Sequence, residues 1–380
     1  MKSAAGYSQS ANFATAALAN RWQPWLVVVA LGLAACSSDA IRDATTIPLP
    51  TGHYEGPISY LGTEVRVALD LREVTPGQLQ ADVSFPTMPG LEFAAAQLRY
   101  QEPQLRIEQH AHANGGISIQ AVREGDFLRG VLTWDSLRTD FVWVRRGDAA
   151  SRGYREQSVR LGLPGYSQPL AILFPDDTLA KHPAIALVPP LAATARATAQ
   201  AARLARQGYV TVVVPVTAPS PVAAGTDSVA TQVASAALTL LRTQTGVDSS
   251  RVGIWGSGVA SSAVALAAAT SQPQAAFVVL EAAPATTAAE ARQYRVLGEQ
   301  HLSTLGIYAA LDTSVNVQES SRRLRTALGN KGAMQVRTIP QVSSTFVLPG
   351  RASEDGQWQW PRPAPNYWEG VLAWLKSVNQ

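Results

Sequence analysis

The chain is short of the residues that staple, ligate and recognise. One cysteine in 380 residues excludes a disulfide within the molecule and any cysteine-based zinc site. Only four lysines accompany 27 arginines, against 28 acids. Two of those bases, Lys2 and Arg21, lie in a 35-residue leader without Asp or Glu, and beyond it 29 bases meet 28 acids. So even a balance gives no evidence of the basic surface a nucleic-acid partner would require, and none is expected. There is no G-x-G-x-x-G and no P-loop lysine, so no cofactor is expected. Of the five histidines, His110 and His112 would share a face in a strand, but no third ligand lies nearby and no metal is expected. No internal repeat of useful length occurs. What is present is core: 46% hydrophobic and 16% charged residues exclude wholesale disorder and suffice for two domains.

The leader carries its own signal. A long polar stretch precedes Trp25-Leu26-Val27-Val28-Val29-Ala30-Leu31-Gly32-Leu33, an apolar run too short to span a bilayer at about 20 residues. It ends in Leu33-Ala34-Ala35-Cys36, which resembles the bacterial lipobox, in which the cysteine becomes the lipidated first residue of the mature protein. The resemblance implies a signal peptide over 1–35 and a lipid-bilayer anchor at Cys36. Ser37, where a retained inner-membrane lipoprotein of enteric type has Asp, favours the outer membrane. Residues 36–50, with Ser, Asp, Thr and two Pro, read as a tether.

The mature chain changes period once. From 51 to 147 apolar residues alternate with polar ones, as in Val65, Val67, Leu69 and Leu71, with further short strands at 78–85, 105–109, 117–122, 128–134 and 141–144. This predicts an antiparallel all-β domain of six or seven strands. A polar hinge over 148–158 follows. From 159 to 380, buried strands at 184–188, 210–214, 252–255, 276–280, 305–309 and 336–339 alternate with helices at 192–206, 228–242, 260–270, 315–328 and 367–378. That alternation predicts a mostly parallel sheet with helices on both faces.

Arg251-Val252-Gly253-Ile254-Trp255-Gly256 running into a small-residue helix resembles the strand-to-helix nucleophile elbow of the α/β-hydrolase superfamily, in the subgroup with a small N-terminal β-domain. Pro183–Pro190 takes the place of the first core strand and its oxyanion turn, and Ala310-Leu311-Asp312 falls where the acid loop belongs. The resemblance implies an α/β fold and a serine-hydrolase site. The elbow needs small residues two positions either side of a nucleophile held at positive φ. Placing Gly256 and Ala260 at those positions puts Gly258, which has no side chain, at the nucleophile. The alternative register makes Ser257 the nucleophile and flanks it with Trp255 and Val259.

The remaining parts also depart from the pattern. No histidine follows Asp312, and Ser344 stands where the base belongs; a serine cannot act as a base near neutral pH. Pro189 and Pro190 replace the flexible turn that aims an N–H at the oxyanion. Asp312 then reads as a loop or helix-capping acid, and Glu281 as a carboxylate at a strand end. The expectation is an envelope lipoprotein whose hydrolase-like domain binds or scaffolds a small molecule, peptide or protein. The alternatives are a serine hydrolase working from Ser257, and an enzyme of another class with its site between the domains. Tyr54, Tyr60, Trp134 and Trp143 read as core or as an aromatic platform. Trp358, Trp360 and Trp368, among prolines, read as packing for the last helix or as a partner surface.

Overall fold

The computed structural model describes residues 49–379 apart from 89, 96, 110–115, 136, 164–165, 217–227 and 330–332. The signal segment, Cys36, most of the tether, His110 and His112 lie outside the described residues. Residues Leu49–Gln380 form one compact unit holding two large sheets and two short two-stranded ribbons.

The first sheet is an antiparallel meander. Its strands are β1 (Gly52–Tyr60), β2 (Thr63–Thr75), β3 (Gln78–Ser84), β4 (Glu92–Ala94), β5 (Gln97–Gln101), β6 (Gln104–Glu108), β7 (Ile117–Glu124), β8 (Phe127–Trp134) and β9 (Leu137–Gly147). Their order is 4-3-2-1-9-8-7-6-5, so β1 pairs with β9 and the sheet curls around one apolar interior. Nine strands replace the six or seven expected, because β4 and β5, of three and five residues, are too short to stand out, although β5 alternates polar and apolar residues. Tyr54, Trp134 and Trp143 are buried in that interior, which makes them core.

The second sheet comprises β10 (Tyr154–Leu163), β11 (Tyr166–Pro175), β12 (His182–Val188), β13 (Val210–Val213), β14 (Val247–Ser257), β15 (Phe277–Glu281), β16 (Ser303–Ala309) and β17 (Gln335–Ile339). Its order is 10-11-13-12-14-15-16-17. β11 runs antiparallel to both β10 and β13, and every later pairing is parallel. This is the mostly parallel sheet that the strand–helix alternation predicts, extended at one edge by an antiparallel hairpin. β15 is buried at all five positions, as a strand covered on both faces must be. The β10–β11 hairpin was not anticipated, and β10 starts inside the span read as a hinge. Its outer strand is half-exposed and carries Arg155, Glu156, Gln157 and Arg160, so it lacks the apolar run that marks a covered strand.

Helices α1 (Thr194–Arg206), α2 (Val229–Arg242), α3 (Ser261–Thr270), α4 (Ala288–Arg292), α5 (Arg295–Glu299), α6 (Val317–Leu328) and α7 (Tyr367–Val378) cover that sheet. α1 and α7 share one core with Trp255 and Phe277; α2, α3, α5 and α6 share the other with Ile254 and Val278. Between β17 and α7 the chain returns to the first sheet. Trp358 meets Tyr60 edge-on at 5.2 Å, Trp360 lies 6.3 Å from Trp134, and Thr63 Oγ1 donates to Trp358 O at 2.8 Å. These two tryptophans therefore clamp one sheet to the other. Trp368 instead packs on Trp255. Among the described residues no helix is long and apolar enough to cross a membrane.

Candidate functional site

Parallel pairing from β12 to β17 brings six connections to one end of the sheet: those after Val188, Val213, Ser257, Glu281, Ala309 and Ile339. Ligands in such sheets gather at the carboxyl ends of strands, and this is where the expected site residues converge.

The turn between β14 and α3 is an elbow centred on Gly258. Gly258 has φ +53°, in the left-handed region, and a Cβ there would meet only Pro190 Cγ, at 3.8 Å. Gly256 is different: a Cβ there would lie 2.9 Å from Val264 Cβ and 3.1 Å from Ser261 Cα, so glycine is what lets α3 seat against β14. Ala260 is fully buried, whereas Val259 is 44% exposed. Ser257 is ordinary extended strand, at φ −127° and ψ 143°. Ser261 opens α3, and its hydroxyl is buried without a partner.

The turn after β12 was read as the place of an oxyanion donor. Pro189 and Pro190 have no N–H, and the next one, on Leu191, donates to Val216 O at 2.9 Å. Asp312 sits just past β16 and is buried. Its Oδ1 accepts from Ser314 N (2.8 Å) and Ser314 Oγ (2.7 Å), while Oδ2 is buried without a partner. Asp312 thus closes its own loop, and the cap of α6 is Asn316, whose side chain accepts from Glu319 N at 3.1 Å. Backbone bonds from Ala310 to Ile339 O and from Leu311 to Val342 O tie the acid loop to the loop carrying Ser344, which is exposed.

No described histidine reaches this end. His182 opens β12 and His301 precedes β16, both at the opposite end of the sheet, and His53 on β1 pairs with Asp70 at 3.0 Å. Among the described residues no group of three or more His, Cys, Asp or Glu is arranged for a metal.

The strongest polar feature here is one the sequence reading largely missed. Glu281, almost fully buried, pairs with Arg196 at 2.5 Å and accepts from Gln200 Nε2 and Tyr367 Oη, both at 3.2 Å. Arg196 lies 5.2 Å over the Phe346 ring, which stacks on Tyr367 at 4.2 Å. Burial drives the Tyr367 phenol far above its ordinary pKa, and the Glu281 charge adds to it. For Arg196, burial disfavours the charge, but Glu281 and Tyr367 together outweigh it, and the net shift is upward. Only Glu281 had stood out. Arg196 and Gln200, four residues apart on the alanine-rich α1, were the available signal, since that spacing puts both on one face.

No protein-family model matches the chain, and no curated protein matches it in sequence. Solved structures do resemble it. A Klebsiella pneumoniae subsp. pneumoniae protein assigned as a dienelactone hydrolase is 18% identical over 59% of this chain and 98% of its own, with a TM-score of 0.44. A cold-adapted esterase from an Arctic intertidal metagenomic library is 14% identical over 61% and 96%, with a TM-score of 0.43. A dienelactone hydrolase-like promiscuous phosphotriesterase from metagenomic libraries is 17% identical over 60% and 98%, with a TM-score of 0.40.

Proposed function

We propose that this chain is an outer-membrane lipoprotein, anchored through Cys36, whose α/β-hydrolase-like domain has lost its serine triad and works by binding. The observation that carries the reading is the elbow: the residue with left-handed φ is Gly258, and it offers no nucleophile. Two further features support it. The nearest loop N–H on the oxyanion side is already bonded to Val216 O, and Ser344 stands on the loop where a base would be required. Hydrolysis would need all three parts at once.

The competing reading is a serine hydrolase working from Ser257. Turnover of p-nitrophenyl acetate and butyrate separates the two. The binding reading expects wild type and Ser257→Ala to match buffer; turnover lost in Ser257→Ala overturns it. For the anchor, Cys36→Ala should move the chain from the membrane fraction to the soluble one. Retention of that variant in the membrane overturns the anchor.

A further inference from the structure

We propose that the cavity between the two sheets is a binding site for a small neutral amphiphile that presents one carbonyl-type acceptor to Arg152. The inference is independent of the elbow and holds whether or not the chain hydrolyses anything. The cavity measures about 400 Å³ and is bounded by β2 and β3 on one side and by β11, α1 and the end of β13 on the other. That volume and that place, at a junction between two structural layers, are usual for a small-molecule site.

Its lining combines an apolar floor with charged groups from both sides. On the α/β side Ala171, Leu173, Ala202 and Val213 make an apolar surface. The charges around the cavity, drawn from both sides, are already paired. Asp82 accepts from Arg72 at 2.5 Å and from Arg152 Nε at 3.2 Å, Arg206 bonds Glu92, and Asp70 accepts from the Ala150 N–H at 2.8 Å. One donor is left over: Arg152 Nη2 is buried and has no partner. The guanidinium is held by its bond to Asp82 and by the Tyr154 ring, over which both Arg152 and Arg206 lie at 5.5 Å from the centre. A fixed, desolvated, unpaired N–H calls for an acceptor.

Charge decides which acceptor. Four carboxylates and three arginines line the cavity, so an anion would add to a negative excess. A cation would have to compete with the arginines that already hold the acids. A neutral carbonyl oxygen satisfies Arg152 without either penalty, and an apolar body matches the facing wall.

The test uses the full chain and a neutral naphthyl ketone, 6-propionyl-2-(dimethylamino)naphthalene, whose emission reports both burial and carbonyl hydrogen bonding. The expected result is saturable binding at one site per chain, abolished in Ala202→Trp, which fills the apolar wall. Arg152→Lys keeps a cation beside Asp82 but lacks the second nitrogen, and should weaken binding about tenfold. Ala199→Phe fills the same cavity if Ala202→Trp loses its circular-dichroism signature. An anilinonaphthalene sulfonate should fail to displace the ketone. No saturable binding, binding unchanged in the cavity-filling and Arg152→Lys variants, or displacement by the sulfonate at equal concentration overturns the proposal.

Discussion

Gly256 and Gly258, two residues apart, should respond to alanine for opposite reasons. At Gly258 the added Cβ has room, since Pro190 Cγ is 3.8 Å away, and the whole cost is the left-handed φ of +53°. That conformation costs an L-residue about 1–2 kcal/mol, and the stiffer unfolded chain returns about 0.4–1. Gly258→Ala should therefore lose about 1 kcal/mol, a Tm drop of about 2–4 °C. At Gly256 the φ is ordinary, but the Cβ would sit 2.9 Å from Val264 Cβ and 3.1 Å from Ser261 Cα. Val264 is fully buried and Ser261 Cα is backbone, so neither can yield without moving α3. Overpacking of that kind costs about 1–3 kcal/mol, and here the upper part of the range applies. Thermal unfolding followed by circular dichroism checks both. A neutral or stabilising Gly258→Ala, or a Gly256→Ala that costs less than Gly258→Ala, would refute the elbow register. Gly258→Ser should show the same stability loss and, on the proposed reading, still fail to turn over p-nitrophenyl esters, because among the described residues no histidine stands at this end of the sheet and the Leu191 N–H is bonded to Val216 O.

Two other outcomes follow from buried polar groups. Glu281→Leu strands Arg196 and leaves Gln200 and Tyr367 without their acceptor; with Arg196 29% exposed, the loss should be about 2–3 kcal/mol in chemical denaturation. A change below 0.5 kcal/mol would sink the claim that this cluster fixes α1 and α7 to β15. Burial raises the phenol pKa of Tyr294, Tyr308 and Tyr367. Their stabilisation is fully present below the unfolded value near 10 and is lost as pH rises above it, where the unfolded chain ionises first, at about 1.4 kcal/mol per pH unit per group. Guanidinium unfolding between pH 9 and 11 should steepen accordingly, and Tyr308→Phe should flatten it. An unchanged slope in that variant would contradict the burial argument.

The α/β domain was legible because its core strands are uniformly apolar and its helices are ended by capping residues and glycine. The final helix falls where the sequence places it, and Ser228 caps α2 through Thr231 N. The edge hairpin was not legible, since an exposed β10 has no reason to be apolar. Nor was the union of the two sheets, because Trp358 and Trp360 reach Tyr60 and Trp134 across more than half of the chain, and no local pattern encodes that distance. At the site, the departures from the elbow pattern could be read residue by residue. The Arg196–Glu281 cluster could not, because its members come from three elements that only the fold brings together.

The central claim is that no activated serine exists at the elbow. Intact-mass analysis of the full chain after treatment with a fluorophosphonate, under conditions that fully label a known serine hydrolase, tests it most directly. The account predicts an unchanged mass. A stoichiometric adduct that maps to Ser257 and disappears in Ser257→Ala would contradict it.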